Sequence, residues 1–329
     1  MATRFGLLVP HFGADARQDL LVEGAQLAER LGFDSLWVRD HLVFHPHGME
    51  GTDRTFTEPL VTLTYLAAKT EQIGLGAATI IPFRHPIYLA YSIASMSWLT
   101  ERRFELGIGA GNFQHEFDVI AQGDLDRPAL MREQTLIARR LWTGESVEWQ
   151  SDTYDFHDVD LKPQPLFPIP VWWGGATPAS VRLAVEFCDG WLPGRITFPT
   201  YEARVAKLRE LAAEAGKPPV MAGAVPVTSI DDTAAAAVER LNVPGLIDNA
   251  NHQKFWLKPE GGQFTKIEEL DGSILAGTPE DIVRGVQRYQ EIGCDLLIFD
   301  FRMRFADWLQ QIEILAREVL PHVSQERTS

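Results

Sequence analysis

Apolar positions along the chain alternate between two periods, and the alternation predicts elements from one end to the other. Runs such as RFGLLV (4–9), DSLWV (34–38), IGLGAATII (73–81) and FELGIG (104–109) are nearly continuous in apolar residues. That suits strands covered on both faces. Between them the period lengthens: Leu20, Leu21, Gly24, Ala25, Leu27, Ala28 and Leu31 share one helical face, and Gly32 ends it. Further helices are predicted over 58–72, 85–99, 128–142, 178–188, 200–216 and 278–293, with strands over 169–175, 189–194, 219–228 and 294–301. A closing helix runs from Phe305 to about Leu320. Pro226 lies inside the strand 219–228 and weakens its centre, because proline donates nothing to a ladder.

Two junctions, ERLGFDSLWVRD (29–40) and QEIGCDLLIFDF (290–301), share one grammar of helix, glycine stop, aspartate and apolar strand. Eight strand–helix units without a Gly/Ser-rich linker predict one (β/α)8 TIM barrel spanning residues 1–329. An open doubly wound sheet is the alternative, since alternation alone does not separate closed from open. Segments 40–57, after the second strand, and 243–272, before the last helix–strand unit, exceed ordinary connections. The second is expected to be a loop excursion.

Charge and cysteine usage narrow the partners. The 329 residues carry 45 acids against 30 bases, a net charge of −15, which disfavours nucleic acid and anionic membrane surfaces. The two cysteines, Cys188 and Cys294, lack metal spacing and a C-x-x-C pattern, so a reducing cytoplasm is expected. No stretch approaches the roughly 20 apolar residues of a spanning helix.

In a barrel the chemistry belongs at the strand C-termini. There the chain places Pro10 and His11, Asp40 and His41, Thr79 to Pro82, GAGNFQHE (109–116), Gly174 to Thr177, Gly194 and Arg195, and Arg302. Gly107, Gly109 and Gly111 suggest a ligand against the backbone, but Asn112 stands where a dinucleotide fingerprint requires glycine. The double glycine at 174–175 leads straight into a helix, which suits a phosphate, although it also suits a plain tight turn. Glu116 reads as a carboxylate in a helix first turn. His41, His45 and His47 share a loop without a spaced carboxylate, so a metal site is not expected.

Six pieces in order carry a resemblance: AERLGFDSLWVRDH, EPLVTLTYLAAKTEQIGLGAATI, RHP, RFELGIGAGNFQHEF, VWWGGATPASVRLAVEFCDGW and GTPEDIVRGVQRYQEIGCDLLIF. From about residue 5 to residue 321, weakening over 220–272, the chain resembles the luciferase-like flavin monooxygenase superfamily. The resemblance implies a (β/α)8 barrel binding the deazaflavin coenzyme F420 or FMN. It puts Asp40 and His41 near the reactive ring, a cis peptide between Ala78 and Thr79 behind it, and Gly109, Ala110, Gly111 and Asn112 beside it. Gly174, Gly175, Ala176 and Thr177 match the loop holding the cofactor phosphate. Asn112 replaces a glutamate of sugar-phosphate-oxidising relatives, and an amide donates no acid proton. His115 replaces an asparagine, changing what lies over the ring. TERRFELG (100–107) replaces the usual serine-glycine-glycine approach to the fourth strand.

The resulting expectation is an oxidoreductase moving a hydride between F420, the preferred cofactor, and a small organic substrate. Phe44, Phe83 and Phe113 suggest an apolar or aromatic one. His41 is the expected acid–base residue, because an imidazole exchanges protons near neutral pH. Asp40, pointing to the other side by strand alternation, is expected to orient the loop or hold the cofactor. The alternatives are a two-component FMN monooxygenase fed by a flavin reductase, a metal-dependent barrel hydrolase, and a non-catalytic flavoprotein. Family habit implies a homodimer.

Overall fold

The computed structural model describes residues 2–323 apart from 122 and 124. Strands β1 (Arg4–Leu8), β2 (Ser35–Val38), β3 (Gly74–Ile80) and β4 (Phe104–Ile108) are followed by an external hairpin of β5 (Val147–Gln150) and β6 (Asp155–Val159). Then come β7 (Val171–Gly174), β8 (Gly190–Leu192), β9 (Met221–Ala224), an external pair of β10 (Val227–Ile230) and β11 (Ile274–Gly277), and finally β12 (Leu296–Phe299). Eight of them close a parallel barrel in the order β1-β12-β9-β8-β7-β4-β3-β2, with helices outside. The expected (β/α)8 architecture is therefore the observed one, and the open sheet is excluded.

The helices start where their sequences cap them. Glu58, Asp126, Thr177 and Thr278 each accept a backbone N–H in the following turn, with proline in the first turn after each. Trp37, Trp172, Trp191 and Trp308 are fully buried and fill the interior and the strand–helix layer. Glu105 accepts a hydrogen bond from Trp172 Nε1 (2.8 Å) and pairs with Arg4, so this buried carboxylate is satisfied within the fold.

Three features depart from the expected elements. The strand predicted over 219–228 breaks at Val225 and Pro226, β9 staying in the barrel while β10 pairs with β11 outside it. The hairpin β5–β6 has a half-exposed, charge-bearing sequence without a continuous apolar run. It is anchored on the helix Arg127–Leu141 by Trp149 Nε1 donating to Glu133 (2.8 Å) and Gln134 donating to Tyr154 (2.8 Å). The expected loop over 243–272 contains the helix Val243–His252 and a 3-10 turn, Ile267–Leu270. Asn242 caps that helix by accepting from Gly245 N–H (3.1 Å), and Pro244 sits in its first turn.

Candidate cofactor and substrate site

The C-terminal strand ends open into a cavity of about 500 Å³, within the roughly 300–1,000 Å³ of small-ligand sites. Asp40, His41, Ala78, Thr79, Gly109, Ala110, Gly111, Asn112, Gly174, Gly175, Ala176 and Thr177 all line it. His115 does not. One residue before Glu116 on the short helix Gln114–Val119, it is turned onto His45 (ring centroids 4.3 Å) and contacts the Val43 carbonyl (3.2 Å).

One wall is a bulge in β3. The Ala78–Thr79 peptide is cis, as the resemblance implies, and the β3–β4 register shifts between Ala77 and Ile80. Glycine is required around it for a reason the sequence did not disclose. A Cβ at Gly109 would stand 2.6 Å from Thr79 Oγ1, and one at Gly174 would stand 2.9 Å from Thr79 Cγ2. These glycines first make room for the bulge and only then for a ligand.

Asp40 fixes that wall. Its fully buried carboxylate accepts from Ile81 N–H (2.9 Å) and takes both ends of the Arg84 guanidinium (2.6 and 3.0 Å). Burial pushes the Asp40 carboxyl up against the pull of Arg84. Arg84 also reaches Glu58 (2.7 Å), so the loop after β2, the loop after β3 and the helix Pro59–Ala67 are tied at one point.

His41 stands on the opposite side. Its Nδ1 lies 3.3 Å from Glu116 Oε2 and its Nε2 lies 3.2 Å from Arg39 Nη2. The ring packs among Phe44, Phe56 and Phe113 at centroid distances of 5.3, 5.4 and 5.5 Å. Behind it, His11 accepts from Arg39 N–H (2.9 Å) and meets the Thr57 carbonyl (3.2 Å). Burial pulls the His11 pKa to about 3, making it a neutral structural group.

Below His41 lies a buried ion network. Glu50, from the long loop after β2, accepts from Arg39 (2.8 Å) and Arg302 (2.6 Å), while Arg302 Nε also donates to Asp300 (2.6 Å). Burial alone would raise the Glu50 carboxyl, but Arg39, His47 and Arg302 hold it well below the usual carboxylate range. Arg195 also lines the cavity. Among the described residues it has no ion pair, and its guanidinium donates only to Asn249 (3.3 Å). Burial and the nearby Arg302 lower its pKa to about 9.

Of the three phenylalanines noted in the sequence, only Phe113 lines the cavity; Phe44 is buried against Phe12 and Phe56, and Phe83 packs on Phe117. Sequence reasoning gave Glu116 only a helix-end role and did not single out Arg39, Glu50, Arg84 or Asn249. No spacing rule pairs Glu50 with a residue 252 positions away. Arg195 and Arg302 were legible as strand-end cations, without a role. Among the described residues, no group of three or more His, Cys, Asp or Glu side chains is arranged to hold a metal ion, and no helix is long and apolar enough to cross a membrane.

This barrel with its bulged third strand is that of a known class. Residues 3–296 match the family model of the luciferase-like monooxygenases, and the chain belongs to that family. Among its relatives, an F420-dependent glucose-6-phosphate dehydrogenase of Amycolatopsis mediterranei is 32% identical over 177 residues, 52% of each chain. The chain thus spans about half the length of the first relatives it matches. Another F420-dependent glucose-6-phosphate dehydrogenase, from Rhodococcus erythropolis, is 28% identical over 92% of this chain and 93% of its own. An F420-dependent secondary alcohol dehydrogenase in complex with an F420-acetone adduct shares the fold, with a TM-score of 0.82 at 22% identity, covering 99% of this chain and 100% of that one. The class expected from the sequence, a luciferase-like oxidoreductase that uses F420 or FMN, is the class of these proteins, and F420 is the cofactor in their names.

Proposed function

We propose that the protein is an F420-dependent oxidoreductase that moves a hydride between the deazaflavin and a small organic substrate carrying an anionic group. The observation that carries this reading is the joint placement, in one cavity, of the β3 bulge, His41 and the N-terminus of the helix Pro178–Phe187. The residues fit a long ligand with a flat ring at one end and a phosphate at the other. Thr177 caps that helix by accepting from Ser180 N–H (3.0 Å), and first-turn amides lack intrahelical acceptors. Trp173, which also lines the cavity, has a buried Nε1 without a hydrogen-bond partner among the described residues. Bound F420 supplies the hydride chemistry, while the chain positions the substrate, excludes water and handles the accompanying proton.

Two features bear on the substrate. The glucose-6-phosphate dehydrogenases among the relatives are named for a sugar phosphate, and Arg195 offers this cavity a cation that has no ion pair among the described residues. A phosphate or carboxylate on the substrate would pair with it. Asn112 stands in place of the glutamate, so the proton chemistry rests on His41. Arg195→Ala should raise KM for an anionic substrate by about 10-fold or more with kcat changed far less. An unchanged KM would remove the anion from the substrate description.

Equilibrium binding of F420 and of FMN to the purified chain tests the cofactor. Tight FMN binding with no F420 binding would favour the monooxygenase reading and its flavin reductase partner. Gly175→Asp, at a residue with φ +95° beside the proposed phosphate, adds strain and negative charge there. It should weaken F420 binding by about 10-fold or more, and unchanged affinity would move the phosphate elsewhere. We also propose a homodimer. The helix Pro86–Thr100 leaves Tyr88, Tyr91, Trp98 and Leu99 exposed for it, and sedimentation at the monomer mass would remove it. Cys188 and Cys294 are free thiols, which fits the cytoplasm.

A further inference from the structure

The geometry points to Glu116 as a positioning residue that, together with Arg39, holds His41 in one protonation state: neutral, with its proton on Nδ1 and its lone pair on Nε2. The ring stands between groups with opposite hydrogen-bonding demands. Arg39 Nη2 lies 3.2 Å from Nε2, and a guanidinium has donors only. Glu116 Oε2 lies 3.3 Å from Nδ1, and an ionised carboxylate only accepts. A proton on Nε2 instead would set N–H against N–H at one end and a lone pair against a carboxylate at the other. An imidazolium would satisfy Glu116 but face Arg39 with like charge and opposed donors. The Nδ1–H form alone satisfies both neighbours.

Both neighbours are themselves held in place. The second oxygen of Glu116 accepts the N–H groups of Leu42 (2.8 Å) and Val43 (3.0 Å), so one carboxylate fixes both the ring and the backbone that follows it. Burial would raise that carboxyl, but the His41 contact and the two N–H groups keep it below its ordinary value. Burial and Arg302 lower the Arg39 pKa to about 10, which leaves it a cation at neutral pH.

The functional consequence rests on the reading of His41 as the proton-handling group. In substrate oxidation bound F420 would supply the acceptor for the hydride that leaves the substrate C–H bond with its electron pair. The O–H proton passes to Nε2, which must first turn from Arg39 to the substrate. The substrate's two electrons would leave with that hydride, and Glu116 would stabilise the imidazolium that forms on His41. His41 thus rests as a base.

The test is the ¹⁵N spectrum of the imidazoles in the full chain, with His41 assigned by its loss in His41→Ala. The expected result is a pyrrole-type Nδ1 and a pyridine-type Nε2. A pyrrole-type Nε2, an averaged mixture or an imidazolium at neutral pH would overturn the inference. In Glu116→Gln the Leu42 and Val43 N–H groups retain the amide oxygen, which turns the NH₂ toward Nδ1. His41 should then lose its Nδ1–H form, and turnover should fall about 10²-fold with KM within a few-fold. An unchanged tautomer in that variant would equally overturn it, and if the variant does not fold, the wild-type spectrum decides. A locked tautomer in a chain whose His41→Ala variant turns over normally upholds the positioning role and removes only the catalytic reading.

Discussion

Replacing His41 with alanine is expected to lower turnover by about 10²-fold or more while leaving F420 affinity within several-fold. The size follows from losing general acid–base work, and its separation from binding follows from the geometry. The loop carrying His41 is held independently by Asp40 on Arg84 and Ile81 and by Glu116 on Leu42 and Val43. Deleting the imidazole would therefore remove the proposed proton transfer and some packing against Phe44 and Phe113 without freeing the bulged β3 wall of the cavity. His41→Asn separates the two roles, since an amide keeps a hydrogen bond but moves no proton. It should stay close to the alanine variant. Near-native turnover with asparagine would make His41 a packing or orienting residue, and steady-state kinetics with F420-binding measurements on both variants decide between them.

The largest effect on stability is expected at Glu50. Its side chain and those of Arg39 and Arg302 are each only 7–8% exposed, and its carboxylate is the acceptor that links the two guanidiniums. Glu50→Ala leaves two buried cations short of a counter-charge, and breaking a buried pair in this way costs about 3–5 kcal/mol. Glu50→Gln should lose less, because an amide oxygen still accepts from one guanidinium. The pH dependence has a definite sign. The folded carboxyl is held below its unfolded value of about 4.3, so its stabilisation is complete above that pH and lost as pH falls through the folded value. Urea unfolding of wild type and Glu50→Ala should therefore differ by a constant amount from about pH 5 to 8 and converge only in stronger acid. A difference below about 1 kcal/mol at pH 7 would show that Arg39 and Arg302 are held by other contacts.

Asp40 and His41 show where local pattern suffices. Adjacent residues at a strand end point apart, and the structure puts Asp40 on Arg84 and His41 on Glu116, on two sides of the same loop. His115 and Phe83 show where it fails. Both are close in sequence to lining residues, yet each turns to a neighbouring ring outside the cavity. Sequence separation says which residues share a loop but not which way a short helix or turn faces.

The alternation of apolar runs and helical faces was sufficient for a parallel sheet covered by helices, because each strand and its helix bury surface locally, whereas its closure into a barrel was decided by the pairing of β1 with β12. Caps, glycine stops and the strand-end polar residues were equally readable, being properties of a few adjacent residues. The break at Pro226, the helix in 243–272 and the hairpin β5–β6 depended on what each segment packs against, where propensity is weak. The ion network under the cavity, the room made at Gly109 and Gly174 for the β3 bulge, and the placing of Glu116 on His41 were decided only by the tertiary structure. Each joins groups from separate strand ends, and desolvation makes them partners only once the barrel has closed around them.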